Sequence, residues 1–183
     1  MLRSITDELK SIVSSNEFQA MRSVRGTGFF EDMLKFFDII YVDRAARIVK
    51  DLLLYRRRGL KMLDIGSGFG YFPWICKRLG HYVTTTDVPN EMYQTVTTYL
   101  GLEPAILEIK PMKKISVTGK FDVITALKTS FHDKRIGKWS KTDWIFFYKD
   151  IRRIVSKKGF VYITSSNICD SRGNRCNKEL YRP

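Results

Sequence analysis

Apolar residues recur at helical spacing through the first third of the chain, then contract into short runs separated by helix-like stretches. Leu2, Ile5, Leu9, Ile12 and Val13 share one face with charged residues between them, which predicts an amphipathic helix over residues 2–14. Residues 18–30 contain Gly26-Thr27-Gly28 and read as a break. Beyond it, Met33, Leu34, Phe36, Phe37 and Ile40, then Ala45, Ile48, Val49, Leu52 and Leu53, predict one long or two shorter helices ending near Arg56-Arg57-Arg58-Gly59. Cations in a last helical turn followed by glycine are an ordinary helix stop, so the triple arginine reads as cap and solvated surface ahead of a nucleic-acid patch.

After Gly59 the pattern predicts a strand over 60–65, a helix over 70–79 with Pro73 tolerated in its first turn, and a strand over 81–86 ended by Asp87. It continues with a helix over 90–100 stopped by Gly101, and strands over 105–109 and 121–127. A helix capped by Ser140 or Thr142 carries Trp144, Phe147, Tyr148, Ile151, Ile154 and Val155 at helical spacing, Lys157-Lys158-Gly159 closes it, and residues 160–164 form a fifth strand. Strands alternating with helices predict an α/β fold with a doubly wound, mainly parallel sheet. Three units follow: a helical N-terminal extension over 1–58, a core over 59–167 and a basic tail over 168–183.

Composition narrows the class. The chain of 183 residues is 44% hydrophobic and 13% aromatic, which is globular and long enough for a sizeable core. No apolar run approaches the roughly 20 residues of a membrane span, and the first ten residues are charged where a signal peptide needs an apolar stretch, so a cytoplasmic protein is expected. Cys76, Cys169 and Cys176 are too scattered for a disulfide framework or a metal site and read as free thiols. The net charge is +13, yet residues 1–58 hold 11 basic and 8 acidic side chains, so most of the excess lies later. Residues 110–141 have 9 basic against 2 acidic, and residues 149–182 have 9 against 3. Such an excess is either a solvated face or an attraction for an anionic partner.

The chemistry centres on Leu63-Asp64-Ile65-Gly66-Ser67-Gly68-Phe69-Gly70, an apolar strand ending in an acid and turning through three alternate glycines into a helix. Glycines let the backbone approach a ligand and adopt positive φ. Asp87 follows Gly66 at the end of the next strand, where a carboxylate can accept both hydroxyls of a ribose. A dinucleotide turn would place its last glycine where Tyr71 stands, and Asp64 would oppose a pyrophosphate while favouring a positively charged group.

The order from 60 to 167 resembles the class I S-adenosylmethionine (SAM) dependent methyltransferases: the glycine stretch, then Thr86-Asp87-Val88-Pro89, Phe121-Asp122-Val123-Ile124-Thr125-Ala126, and the helix leading to Ser156-Lys157-Lys158-Gly159-Phe160-Val161-Tyr162-Ile163. The resemblance implies SAM as cofactor. It places Asp64, Gly66, Ser67, Gly68 and Gly70 beside the methionyl and ribose parts, Asp87 on the ribose hydroxyls, Val88 and Ile109 on either side of the adenine, and Ala126 with Leu127 near the sulfonium. Asp122, at the start of its strand, reads as structural. The loop after Leu127 is where such enzymes hold substrate-facing groups. His132 can serve there as general base or simply pack in the loop, and Lys128 and Arg135 can bind an anionic substrate. Trp139 and Trp144 stand nearby, either to stack on a ring or, for Trp144, as core.

The expected activity is methyl transfer to a hydroxyl or similar nucleophile of a small or glycan-like, anionic acceptor. An RNA methyltransferase and a non-catalytic methyltransferase-like subunit stay open as alternatives. The chain departs from the family in lacking two apolar runs for the usual final β-hairpin. The fifth strand is therefore expected to be an edge, unless the chain is a shortened form of a longer protein, with the N-terminal helices, a homodimer or another partner covering it. No Asn-Pro-Pro-Tyr type motif follows the fourth strand, which disfavours amino methylation of bases.

Overall fold

Glycine stretch and sheet meet at the middle of the molecule. The computed structural model describes residues 1–23, 33–131, 139–164 and 179–181, the last three by backbone alone. Strands β1 (Lys61–Ile65), β2 (Tyr82–Asp87), β3 (Ala105–Ile106), β4 (Phe121–Leu127), β5 (Val155–Thr164) and β6 (Glu179–Tyr181) form one sheet in the order β3-β2-β1-β4-β5-β6. The first five run parallel and β6 pairs antiparallel with β5. Strand order reverses between β1 and β4, the switch point at which open α/β sheets bind ligands.

Helices α1 (Leu2–Val13), α2 (Asn16–Ala20), α3 (Ile40–Asp51), α4 (Tyr71–Arg78), α5 (Glu91–Tyr99) and α6 (Lys141–Ile154) cover the sheet unequally. One core joins the N-terminal extension to α4, α5 and the sheet face carrying Met62 and Val123. In α1, Ile5, Leu9 and Val13 recur every four residues and are all buried, which is why this short helix docks rather than frays. Lys10 meets Asp43 at 2.6 Å, and Arg78 meets Glu8 at 2.7 Å, tying α1 to α3 and α4. The other core lies under α6, where Ile151 and Ile154 pack with Leu63, Ile124 and Val161. Ser140 and Asp143 form a reciprocal capping box that starts α6.

The break read at 18–30 begins inside α2 and takes in a 3-10 turn over Met21–Ser23, and beyond residue 33 the predicted elements recur with three differences. The strand expected over 105–109 keeps only Ala105–Ile106. The lysines and glycine at 157–159, expected to stop a helix, lie inside β5: α6 ends at Ile154 and the chain enters the sheet directly, pairing Val155 with Phe121 and Phe160 with Val123. The intervening bulge needs Gly159, because a Cβ there would stand 2.9 Å from the carbonyl oxygens of Phe121 and Asp122. The third difference corrects the expected bare edge. Within the segment assigned as a basic tail, β6 pairs Tyr181, Leu180 and Glu179 with Val161, Tyr162 and Ile163 of β5. A single antiparallel strand therefore covers residues 161–163 of that edge, and no second strand of a hairpin lies among the described residues. Among the described residues no helix is long and apolar enough to cross a membrane.

Candidate functional site

The turn after β1 is held from below by β2. Backbone N–H groups of Gly66 and Ser67 both donate to the Thr86 carbonyl, at 2.9 and 3.0 Å, and the Gly70 N–H donates to Ser67 O. Gly66, Gly68 and Gly70 all have positive φ. Gly66 and Gly70 are also packed tight, since a Cβ would come within 2.8 Å of Thr129 and 2.6 Å of Leu102 respectively. At Gly68 the same Cβ would meet nothing within 4 Å, so the turn leaves open space over its middle glycine.

Asp87 lies beside that space, and a second carboxylate, Asp64, is buried under the turn. Asp87, at the end of β2, accepts from the Gly68 N–H through Oδ2 at 2.5 Å and from the Val88 N–H through Oδ1 at 2.8 Å. These bonds fasten the turn to β2 and leave each oxygen a further lone pair. Burial raises the Asp87 pKa, while the two backbone donors oppose the shift. Asp64 is buried, with its Oδ1 accepting from the Thr125 hydroxyl at 2.6 Å. Burial pushes its pKa up to about 6, with the hydroxyls of Thr125 and Ser67 pulling down and the charge of Asp87 adding to the rise. A carboxyl so placed, reached by hydroxyl donors, gains from a neighbouring positive charge.

No family model matches the chain, and no curated protein matches it. Solved structures do. The PH0226 protein of Pyrococcus horikoshii OT3 aligns at 22% identity over 68% of this chain and 58% of its own, with a TM-score of 0.51. SAM-bound CalS10, an amino pentose methyltransferase from Micromonospora echinaspora involved in calicheamicin biosynthesis, aligns at 15% identity over 68% of this chain and 50% of its own, also at 0.51. This chain has the class I methyltransferase fold. It spans about half the length of the first solved methyltransferases it matches.

On that fold the expected cofactor residues Asp64, Gly66, Ser67, Gly68, Gly70 and Asp87 come together at the carboxyl ends of β1 and β2. Exposed Val88 follows immediately. Ile109 is displaced from its expected place at a strand end: β3 stops at Ile106, which pairs with Asp87 and is 54% exposed, while Ile109 packs against the core under α6. Ile106 is thus the apolar residue beside Asp87. Ala126 is buried at the carboxyl end of β4, and Leu127 packs against the core shared with the N-terminal extension. Exposed Lys128 has φ of 54°, held by its N–H donating to the carbonyl and hydroxyl oxygens of Thr164 at 2.7 and 2.9 Å. His132 and Arg135 lie outside the described residues.

Trp139 is buried and stacks with Phe131, Trp144 and Phe147, which makes it part of the core here. Asp122 is structural as expected, accepting from the Lys61 N–H and the Ser156 hydroxyl. Sequence reasoning missed Thr125 and Thr129. Thr125 faces Asp64 across the β1–β4 register, and Thr129 seats its side chain on Gly66 while donating to Ile65 O at 2.8 Å. It also missed the aromatic cover: Phe69 of the turn packs edge-on to Phe37 at 4.9 Å and contacts Phe36 and Tyr93, and Tyr71 Oη donates to Phe36 O at 2.8 Å.

Proposed function

We propose that the chain binds SAM at the glycine turn and transfers its methyl group to a hydroxyl or similar nucleophile of a small or glycan-like, anionic acceptor. The observation that carries this reading is the open face of Gly68 bordered by Asp87. The residues present fit the cofactor. Asp87 has lone pairs left for a ribose diol, exposed Val88 and Ile106 offer apolar surface for an adenine, and Asp64 supplies negative charge for the methionyl end. When bound, SAM supplies a methyl group on a sulfonium, an electrophile that needs no metal.

The chain's own part is orientation and proton handling. Thr129 and Leu102 lock the turn, so Asp87 and the Gly68 backbone hold one arrangement before a ligand arrives, which lowers the cost of ordering. The loop after β4 begins with exposed Lys128, whose ammonium suits an anionic acceptor. Proton removal from the acceptor falls to His132 in this reading. CalS10 is named as acting on an amino pentose, and that small, sugar-like acceptor supports the glycan-like class proposed here.

The test is incubation with methyl-labelled SAM and fractionated cell extract. Label in a small-molecule or glycan fraction, lost with His132→Ala, is expected. Label confined to nucleic acid, protein or lipid, or full turnover by His132→Ala, refutes the acceptor class or the base respectively.

A further inference from the structure

The amino-terminal edge of the sheet, opposite the glycine turn, gathers cations that methyl transfer does not use. Lys61 opens β1, Lys120 precedes β4, Arg152 lies in the last turn of α6, and Lys157 and Lys158 form the β5 bulge. All five are exposed, and the exposed run Arg56-Arg57-Arg58 precedes β1 on the same side. The connection between Gly80 and β2 closes this edge, with the Gly59 N–H donating to Gly80 O.

Two carboxylates also lie at this edge, Asp122 hydrogen-bonded within the fold and Asp150 paired with Arg153. Asp122 gives one oxygen to the Lys61 N–H at 3.0 Å and the other to the Ser156 hydroxyl at 2.9 Å. Asp150 is buried, accepting from Arg153 Nε at 2.7 Å and from the Ile115 N–H at 2.6 Å. Lys61, Arg152, Lys157 and Lys158 form no ion pair with any described residue.

An aromatic side chain stands among them. Tyr82, paired in register with Lys61 and therefore on the same face of the sheet, is 71% exposed. With strands about 4.8 Å apart, the row from β2 through β1 and β4 to β5 spans about 14 Å of cations with this ring at one end. Cations along a track with an exposed ring for stacking suit a single-stranded nucleic acid, whose charge lies on its backbone and whose bases offer π faces. A compact anion would not use the length of the row, and competition between oligouridine and acidic vesicles separates a nucleic acid from a membrane surface, which also attracts cations.

We infer that this edge is a binding surface for single-stranded nucleic acid, separate from the methyl-transfer site and independent of the acceptor proposed above. Two observations carry it, the Lys61–Tyr82 register and the absence of an ion-pair partner among the described residues for Lys61, Arg152, Lys157 and Lys158, which lie at the start of β1, the last turn of α6 and the β5 bulge.

The test is fluorescence anisotropy of a labelled oligouridine with the full chain across a salt series. The wild type is expected to bind with log K falling linearly in log salt. Lys61→Gln/Lys157→Gln/Lys158→Gln is expected to weaken binding about tenfold or more and to flatten the slope by about 2, at about 0.7 for each phosphate that is no longer neutralised. Tyr82→Ala is expected to weaken binding with the slope unchanged, and circular dichroism and SAM affinity should match the wild type in both variants. Unchanged affinity and slope in the triple variant overturn the proposal. So does equal affinity of Tyr82→Ala for RNA, or retention by phosphatidylcholine vesicles containing phosphatidylserine that oligouridine does not compete away.

Discussion

Replacing Asp64 by asparagine probes the electrostatics of the glycine turn before any ligand is added. The carboxyl is 2% exposed, and its shortest hydrogen bond comes from a neutral hydroxyl, that of Thr125. Burial raises its pKa from 3.8 to about 6. A carboxyl that holds its proton more tightly folded than unfolded contributes stability that is present below pH 3.8 and is lost as pH rises through about 6. A shift of about 2 pH units, at about 1.4 kcal/mol each, makes that loss about 3 kcal/mol at most. Asp64→Asn removes the titration while keeping an oxygen for Thr125, at a fixed cost of about 1 kcal/mol for its amide N–H groups. In a chain of this size 1 kcal/mol moves Tm by about 2–4 °C. The Tm of Asp64→Asn minus that of the wild type should therefore rise by up to about 12 °C between about pH 4 and pH 7.5, as followed by circular dichroism. A gap that stays constant, or narrows as pH rises, refutes the reasoning. The carboxylate is on this reading a cost carried by the free protein for the sake of a cationic ligand, so the variant should bind SAM more weakly.

His81 works in the opposite direction. Its Nδ1 accepts from the Leu60 N–H and its Nε2 donates to Leu54 O, an arrangement that requires the neutral ring. Burial lowers its pKa from 6.5, the Leu54 carbonyl pulls the other way, and Arg58 adds to the lowering. Stability should therefore be retained above pH 6.5 and fall as pH drops below it, and urea midpoints should show a steeper loss for the wild type than for His81→Gln. Gly159→Ala should cost about 1–3 kcal/mol, read by denaturant unfolding, because its Cβ meets two backbone carbonyls that cannot swing aside. Thr125→Val should weaken SAM binding and raise the Asp64 pKa further, which carboxyl-labelled NMR titration would report.

Legibility in the sequence follows the range over which each signal acts. The compact apolar run at 121–127 forms β4 at the predicted bounds. The glycine turn and Asp87 are visible because their spacing is local, and the structure joins them through the Gly68 N–H. Thr125 and Thr129 are not, because their value lies in contacts with residues more than 60 positions away, created by the β1–β4 register. Lys157-Lys158-Gly159 misleads because the residues that end a helix also suit a bulge, and only the pairing of β5 with β4 tells them apart. The brief Glu179–Tyr181 strand has no apolar run of its own and forms on the edge that β5 offers.

The central claim is that the open turn at Gly68, with Asp87 beside it, is a SAM site. Isothermal titration of SAM into the wild type, Gly68→Val and Asp87→Ala tests it most directly, since valine would fill the space at a φ of 55° and alanine would remove the side chain bound to the Gly68 N–H. One saturable site in the wild type is expected, with a loss of about 100-fold or more in both variants, each still folded by circular dichroism. Affinity unchanged in both variants, or no binding by the folded wild type, contradicts the claim.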